Sequence, residues 1–430
     1  MPESGEQSVP GERVELDQLV ESWNRFDHDL LLHDAGGPSE CVVRAGELVV
    51  GDEAFDAVTD QFGRWLDRIR PHDLHEDLRL AKLRLRPTER ERCVEIAHDA
   101  ASFVGAAARE NVRRSVSANH VHLGSTATTP RIGWTGSPVM YGTPVMYGTG
   151  ANPEPAPPID PPADELWDPA VTVTVLDSGL DPHPWFVRRP WLSDWGLAPE
   201  VLDADDDSGQ DRQAGHGTFV AGIILQHAPG ATLRHHRVLS SLGLTDDLTV
   251  VAGLRRTRYL AAGKGAHIDV IVLASGCHTE NDECPPAVRS EIAKYRDAVV
   301  VASVGNFGND RKFWPAALPE VLGVGATGSD GRLAEFSNYG PWVDAAAPGV
   351  DVVSSYVQLL PSRGRLAPRT ENRHYGVAKW SGTSFAAPRV AAEVARRLHL
   401  GEGTKAATRG ATSAFPVPKV PSASNGSSAT

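Results

Sequence analysis

Three stretches constrain the fold more than any others: "VTVTVLDSG" (171–179), "HIDVIVLASG" (267–276) and "DAVVVASVGN" (297–306). Each is a nearly unbroken run of Val, Ile, Leu and Ala. A strand with one face in water alternates apolar and polar residues, whereas an unbroken run needs apolar surroundings on both faces. The expected fold class is therefore α/β, a mostly parallel twisted sheet with helices on both faces. Helical spacing occurs where that architecture needs it, at 216–227, 247–262, 285–296 and 384–399. Each run ends in a small or polar residue at its carboxyl edge, where open α/β sheets bind ligands.

Upstream the periodicities differ. "CVVRAGELVV" (41–50) reads as a strand pair or one bent strand, and Phe55, Val58, Phe62, Leu66 and Ile69 stand at helical spacing. "LRLAKLRLR" (78–86) alternates like a strand. Thr88 and Glu91 have capping-box spacing ahead of a helix that would bury Cys93, Ile96, Ala100 and Phe103. "NHVHLGS" (119–125) closes the series as a strand, so the order predicts a small α+β sandwich. Residues 128–165 are dense in Pro and Gly, carry "PVMYGT" twice in tandem (138–149), and read as an extended linker. The expected division is an irregular or helical segment at 1–40, a small α+β domain at 41–127, the linker at 128–165, the α/β domain at 166–401 and a disordered low-complexity tail at 402–430.

A length of 430 residues suits two or three domains, and the net charge of −13 argues against nucleic acid, whose phosphates need clustered Lys and Arg. No run of about 18 apolar residues is present, so no membrane insertion is expected. The start, "MPESGEQSVPGERVELDQL", is acidic where a secretory signal is basic, which makes the cytoplasm the expected compartment. Cys41, Cys93, Cys277 and Cys284 suit free thiols there, although Cys277 and Cys284 bracket "HTENDE" closely enough for a local disulfide. No CxxC pair occurs, so no zinc site is expected. The acidic run "DADDDSGQD" (203–211) reads as a solvated loop, with structural calcium as the alternative. "GVGATG" (323–328) spells a dinucleotide fingerprint, but no helical pattern follows it.

Three polar residues stand at strand ends or helix starts: Asp177 after "VTVTVL", His216 in "AGHGTFVAGII" and Ser384 in "SGTSFAAP". A serine hydroxyl is a weak nucleophile until a base takes its proton, and histidine is the base whose pKa lies near neutrality. That histidine needs a carboxylate to fix its tautomer and stabilise its cation. Taken singly, each of the three reads as a cap or a structural residue; taken together, they read as one catalytic set.

"VTVLDSGLDPHP", "GHGTFVAGII", "SVGNFGND" and "SGTSFAAPRVA" resemble, in order, the signature segments of the subtilisin-like serine peptidases, over roughly residues 167–400. The Asp, His, Ser order is the one subtilisin shows. The resemblance implies an endopeptidase that forms an acyl-enzyme, with Asp177 orienting, His216 as general base and Ser384 as nucleophile. It implies that the side-chain amide of Asn306 and the backbone N–H of Ser384 stabilise the oxyanion, a contribution of about 10²–10³ in kcat for the asparagine, as in subtilisin. It also implies a cleft in which Ser241, Leu242, Gly243, Ser275 and Gly276 pair with an extended peptide while Ser303, Val304 and Gly305 wall the pocket. The walls are small and apolar and suit an uncharged side chain. The partner so implied is a polypeptide substrate, with no cofactor required and the chain a monomer. Members of the family commonly carry an N-terminal inhibitory module, and residues 41–124 match its element order. A dedicated peptidase for a precursor peptide fits the same motifs. A catalytically silent peptide-binding protein on this fold is disfavoured by the intact Asp177, His216, Asn306 and Ser384. An esterase is disfavoured by the absence of a GxSxG elbow.

Overall fold

The computed structural model describes residues 16–25, 29–107, 115–124, 153–194, 198–204, 209–360 and 373–418. The three apolar runs form adjacent strands of one sheet. It has six strands, all parallel, in the order Ala345–Pro348, Val321–Thr327, Val299–Ser303, Val270–Leu273, Thr172–Asp177, Thr232–Arg237. Alternate side chains of one strand enter different cores. Val270 and Val272 pack in one cluster with helices His216–His227 and Thr383–His399, while Ile271 and Leu273 pack in another with helices Asp247–Gly263 and Pro286–Ile292. That two-sided burial is the reason for the unbroken runs; fully burying each Val, Leu or Ile contributes about 1.5–3 kcal/mol.

The N-terminal region is a mixed unit. Leu30–His33, Cys41–Gly51, Leu80–Arg84, Leu74–His75 and Val116–Gly124 pair antiparallel, with helices Asp52–Phe62 and Cys93–Ala107 on one face. The 41–51 strand is a single bent one, with a register irregularity between Val43 and Leu48. Two strands of the α/β part complete this sheet: Leu244–Asp246 and Ser275–Gly276 both pair antiparallel with Val116–Gly124.

Several local expectations are corrected. The turn at 87–92 is a 3-10 helix with Arg86 in the capping position and Pro87 first, so Thr88 and Glu91 do not form the box. Phe103 is exposed; Val104, one position on, fills the core place, because the helix starts at Cys93 and phases its inner face accordingly. Residues Thr404–Ala414 form a helix, although 402–430 read as disordered. Its Ala407 and Ala411 are wholly buried in the core shared with helix Thr383–His399, so two small side chains suffice to seat it. Within the expected linker, Glu154–Pro155 pairs with strand Arg373–Trp380; the tandem "PVMYGT" lies outside the described residues. Among the described residues no helix is long and apolar enough to cross a membrane. All four cysteines are free.

Candidate active site

Asp177 is the last residue of strand Thr172–Asp177, and His216 is the first residue of helix His216–His227. The helix is entered through Gly215 at φ +88°, a left-handed conformation that glycine adopts without strain. His216 Nδ1 lies 2.6 Å from Asp177 Oδ1, and both residues are wholly buried. The backbone N–H of Ser178 donates to the same Asp177 oxygen at 2.7 Å. This geometry assigns the Nδ1–H tautomer and leaves Nε2 as the basic nitrogen; Nε2 is buried and has no hydrogen-bond partner. The imidazole is braced by two aromatic rings, Trp380 edge-on at 5.6 Å and Phe385 at 5.3 Å between centroids.

Phe385, whose ring touches that imidazole, follows Ser384 in the chain, and the Ser384 hydroxyl is paired elsewhere. Ser384 is the second residue of helix Thr383–His399, wholly buried, and its hydroxyl donates to the Ala274 carbonyl at 3.3 Å. First-turn N–H groups have no intrahelical partner and carry the positive end of the helix dipole. Asn306 joins the same place. Its Oδ1 accepts from the Thr383 backbone N–H at 3.0 Å and from the Thr383 hydroxyl at 2.9 Å. A backbone N–H only donates, so the acceptor end of the amide must face Thr383. The Nδ2 end is then buried with no partner. Thr383 is a residue that sequence reasoning missed; its place one residue before Ser384 is the available signal.

Two further residues escaped the sequence reading. Glu200 is buried beside the His216 helix, accepts from Thr218 N at 3.0 Å and Thr218 Oγ1 at 3.1 Å, and burial pushes its carboxyl up to about 7, with nearby Asp177 adding to the rise. The Ser178 hydroxyl accepts from Gly217 N at 2.9 Å and ties the Asp177 strand to the His216 helix. His183 has a structural place: its Nε2 pairs with the Gly376 carbonyl at 2.9 Å.

The cleft residues divide. Ser275 and Gly276 do pair with an extended segment, opposite Gly124 and Leu123. Gly243, at φ +79°, accepts from Gly124 N at 2.7 Å. Ser241 faces away from that segment: its carbonyl takes Gln213 N at 2.8 Å and its hydroxyl donates to Asp211 at 2.6 Å. Residues 240–243 are a tight turn, and the pairing edge begins at its last residue, Gly243, and continues through Leu244–Asp246. Leu242 packs against an apolar cluster that includes Val121 and Leu123 of the N-terminal unit. Ser303 and Val304 are wholly buried, with Val304 in the core rather than on a pocket wall, and Gly305 turns the chain at φ +92° into Asn306. In the acidic run, residues 205–208 lie outside the described ones, and Asp211 is held by Ala204 N at 2.8 Å and by Ser241.

Over about half of its length the chain is similar to known proteins. The family model for the subtilase family matches residues 168–409, more than half of the chain. The chain is 34% identical over 226 residues to a thermophilic serine proteinase of Bacillus sp. (strain AK1), a match covering 51% of this chain and 50% of that one. It is 32% identical over 234 residues to subtilisin Savinase of Lederbergia lenta, covering 52% and 75%. The chain thus spans half the length of the first relative and three quarters of the second. Among solved structures, a cold-adapted subtilisin-like serine proteinase aligns with a TM-score of 0.41 at 25% identity, over 59% of this chain and 85% of that one. On the family match and the identity to subtilisin Savinase, the chain belongs to the subtilase family.

Proposed function

We propose that this chain hydrolyses peptide bonds through an acyl-enzyme formed on Ser384, and that its own N-terminal unit restrains it. The observation that carries the chemistry is the pairing of His216 with Asp177 at 2.6 Å beside an asparagine whose Nδ2 is left free. Attack on a substrate carbonyl requires the Ser384 hydroxyl to leave the Ala274 carbonyl and give its proton to His216 Nε2. Unliganded sites often hold such contacts long or misaligned. Asp177 holds the ring and stabilises the imidazolium, which then protonates the leaving amine. Charge developing on the carbonyl oxygen is met by Asn306 Nδ2 and by the Ser384 N–H at the helix N-terminus, donors that need no reorganisation. No cofactor enters this scheme. The substrate is a polypeptide held as an added strand, with main-chain bonds supplying affinity.

The restraint rests on the place of residues 121–124. Val121, His122 and Leu123 pair with Asp246, Thr245 and Leu244, while Leu123 and Gly124 pair with Gly276 and Ser275. An extended segment of the chain therefore fills the slot between the two edges that a substrate strand would join, and ends beside Ala274–Ser384. Labelling with a fluorophosphonate probe tests both halves. The full chain should label and Ser384→Ala should not; equal labelling of the two removes the nucleophile. Gly124→Pro deletes the N–H that bonds Gly243 and should raise the labelling rate; an unchanged rate counts against the restraint while leaving the chemistry intact.

A further inference from the structure

The interface between the N-terminal unit and the α/β domain contains a second histidine–carboxylate cluster, 0–2% exposed and unused by the chemistry above. His122 Nε2 lies 2.8 Å from Asp247 Oδ1 and 3.6 Å from Cys277 Sγ. The three ligand atoms all fall within 4.8 Å of one another, and none of the three residues is more than 2% exposed. We propose that His122, Asp247 and Cys277 form a binding site for one divalent cation of the zinc class, shared between the two parts of the chain.

The donor set is the first argument. Thiolate, imidazole and carboxylate are zinc's own ligand types, and a thiolate weighs against hard cations such as calcium and magnesium. Bonds of about 2.0–2.3 Å place neighbouring ligand atoms of a tetrahedral zinc about 3.3–3.7 Å apart. The Cys277–His122 separation already fits, and the His122–Asp247 contact would need to open by about half an ångström. Rigidity is the second argument. Cys277 is pinned by a reciprocal backbone pair with Trp314 at 2.9 and 2.8 Å. Asp247 begins helix Asp247–Gly263, whose cap Asp246 accepts from Thr249 N at 3.0 Å, and His122 sits inside the ladder opposite Thr245.

The surroundings orient the carboxylate ligand, while His122 Nδ1 is buried without a hydrogen-bond partner. Asp247 Oδ2 accepts from the backbone N–H of His120 at 2.9 Å and contacts its ring Nδ1 at 3.0 Å, which leaves Oδ1 for an ion. His120 Nε2 is in turn held by Glu280 at 2.8 Å. With both ring nitrogens committed, His120 is a support rather than a ligand, which sets aside the neighbouring group Cys41–His120–Glu280. A cavity of about 850 Å³ lined by His120, Glu280 and Cys284 reaches this shell. Binding takes Cys277 as its thiolate and releases its proton to solvent. Because His122 lies two residues before Gly124, the ion would clasp the strand that occupies the cleft. The ligands stand 125 and 30 residues apart along the chain, so the local spacing that excluded a zinc site in the sequence could not have shown one.

The test uses the full chain carrying Ser384→Ala, so its outcome does not depend on the peptidase reading. After dialysis against EDTA, the protein is titrated with Co²⁺ and with Zn²⁺. The expected result is one equivalent of Co²⁺ with a thiolate-to-cobalt charge-transfer band, and a melting temperature that rises with Zn²⁺. Added Cys277→Ser should abolish the band, and added His122→Ala should weaken binding by about 100-fold. Added Cys41→Ser and Cys284→Ser should keep the band. Three results would overturn the proposal: no stoichiometric ion in the parent chain, an adventitious ion bound without the band, or a band lost with Cys41→Ser but kept with Cys277→Ser. The parent chain's spectrum decides even if a variant fails to fold.

Discussion

Two of the buried histidine–aspartate pairs among the described residues have similar geometry and opposite circumstances. His216 meets Asp177 at 2.6 Å and His120 meets Asp247 at 3.0 Å, both almost without exposure. The difference lies in the second ring nitrogen. His216 Nε2 has no partner, whereas His120 Nε2 is bound to Glu280. A histidine held on one side by a carboxylate is a base waiting for a proton; a histidine held on both sides is a fastener. Burial and an aspartate are thus insufficient to make a general base. What matters is an unsatisfied nitrogen aimed at a reacting group, tolerated because the surrounding aromatic rings and helix hold it there.

The comparison can be broken in three places. The largest effect is expected at His216→Ala, which should lower kcat on the order of 10⁶-fold, the size of loss known for the triad base in subtilisin. Steady-state assay of a peptide substrate, with circular dichroism to show retained structure, measures it; a loss under tenfold would make His216 a fastener too. Next is Asp247→Asn, which leaves His120 and His122 without their shared anion and should cost about 3–5 kcal/mol of stability, as breaking a buried pair does. Denaturant unfolding reads this, and an unchanged midpoint would show that the cluster carries no weight. The smallest effect is expected at Glu200. Its carboxyl is raised from an ordinary 4.5 to about 7 in the folded chain. Between these values the unfolded chain gives up its proton while the folded one keeps it, so stability falls as pH rises from about 4.5 to about 7 and then levels. Glu200→Gln should flatten the melting temperature across that window; an identical slope in both proteins would remove Glu200 as its source.

Much of this was legible in the order of residues. The unbroken apolar runs announced strands buried on both faces, and the sheet places Val270 and Ile271 in different cores as that reading requires. Asp177, His216 and Ser384 stood out only as a set, since each alone reads as a cap or structural residue, and the role of Asn306 came from the resemblance of its segment to a known family. Local chemistry reaches that far, since periodicity and turn-forming residues act over a few positions. Other features depend on long-range docking, which pairs surfaces no local pattern connects. The 404–414 helix is seated by two alanines that look like low complexity in isolation. The edge that pairs with 121–124 runs over 243–246 and does not include Ser241, which spends its polar groups on Gln213 and Asp211. The strand at 121–124 reads as one more element of a small sandwich until the tertiary structure lays it between two edges of another domain. The same contact brings His122 to Asp247 and Cys277. The sequence by itself determined the elements and the reactive side chains, because those follow from burial and chemistry close by. Only the fold in three dimensions decided what fills the cleft and which distant ligands meet, because that depends on the complementarity of two finished surfaces.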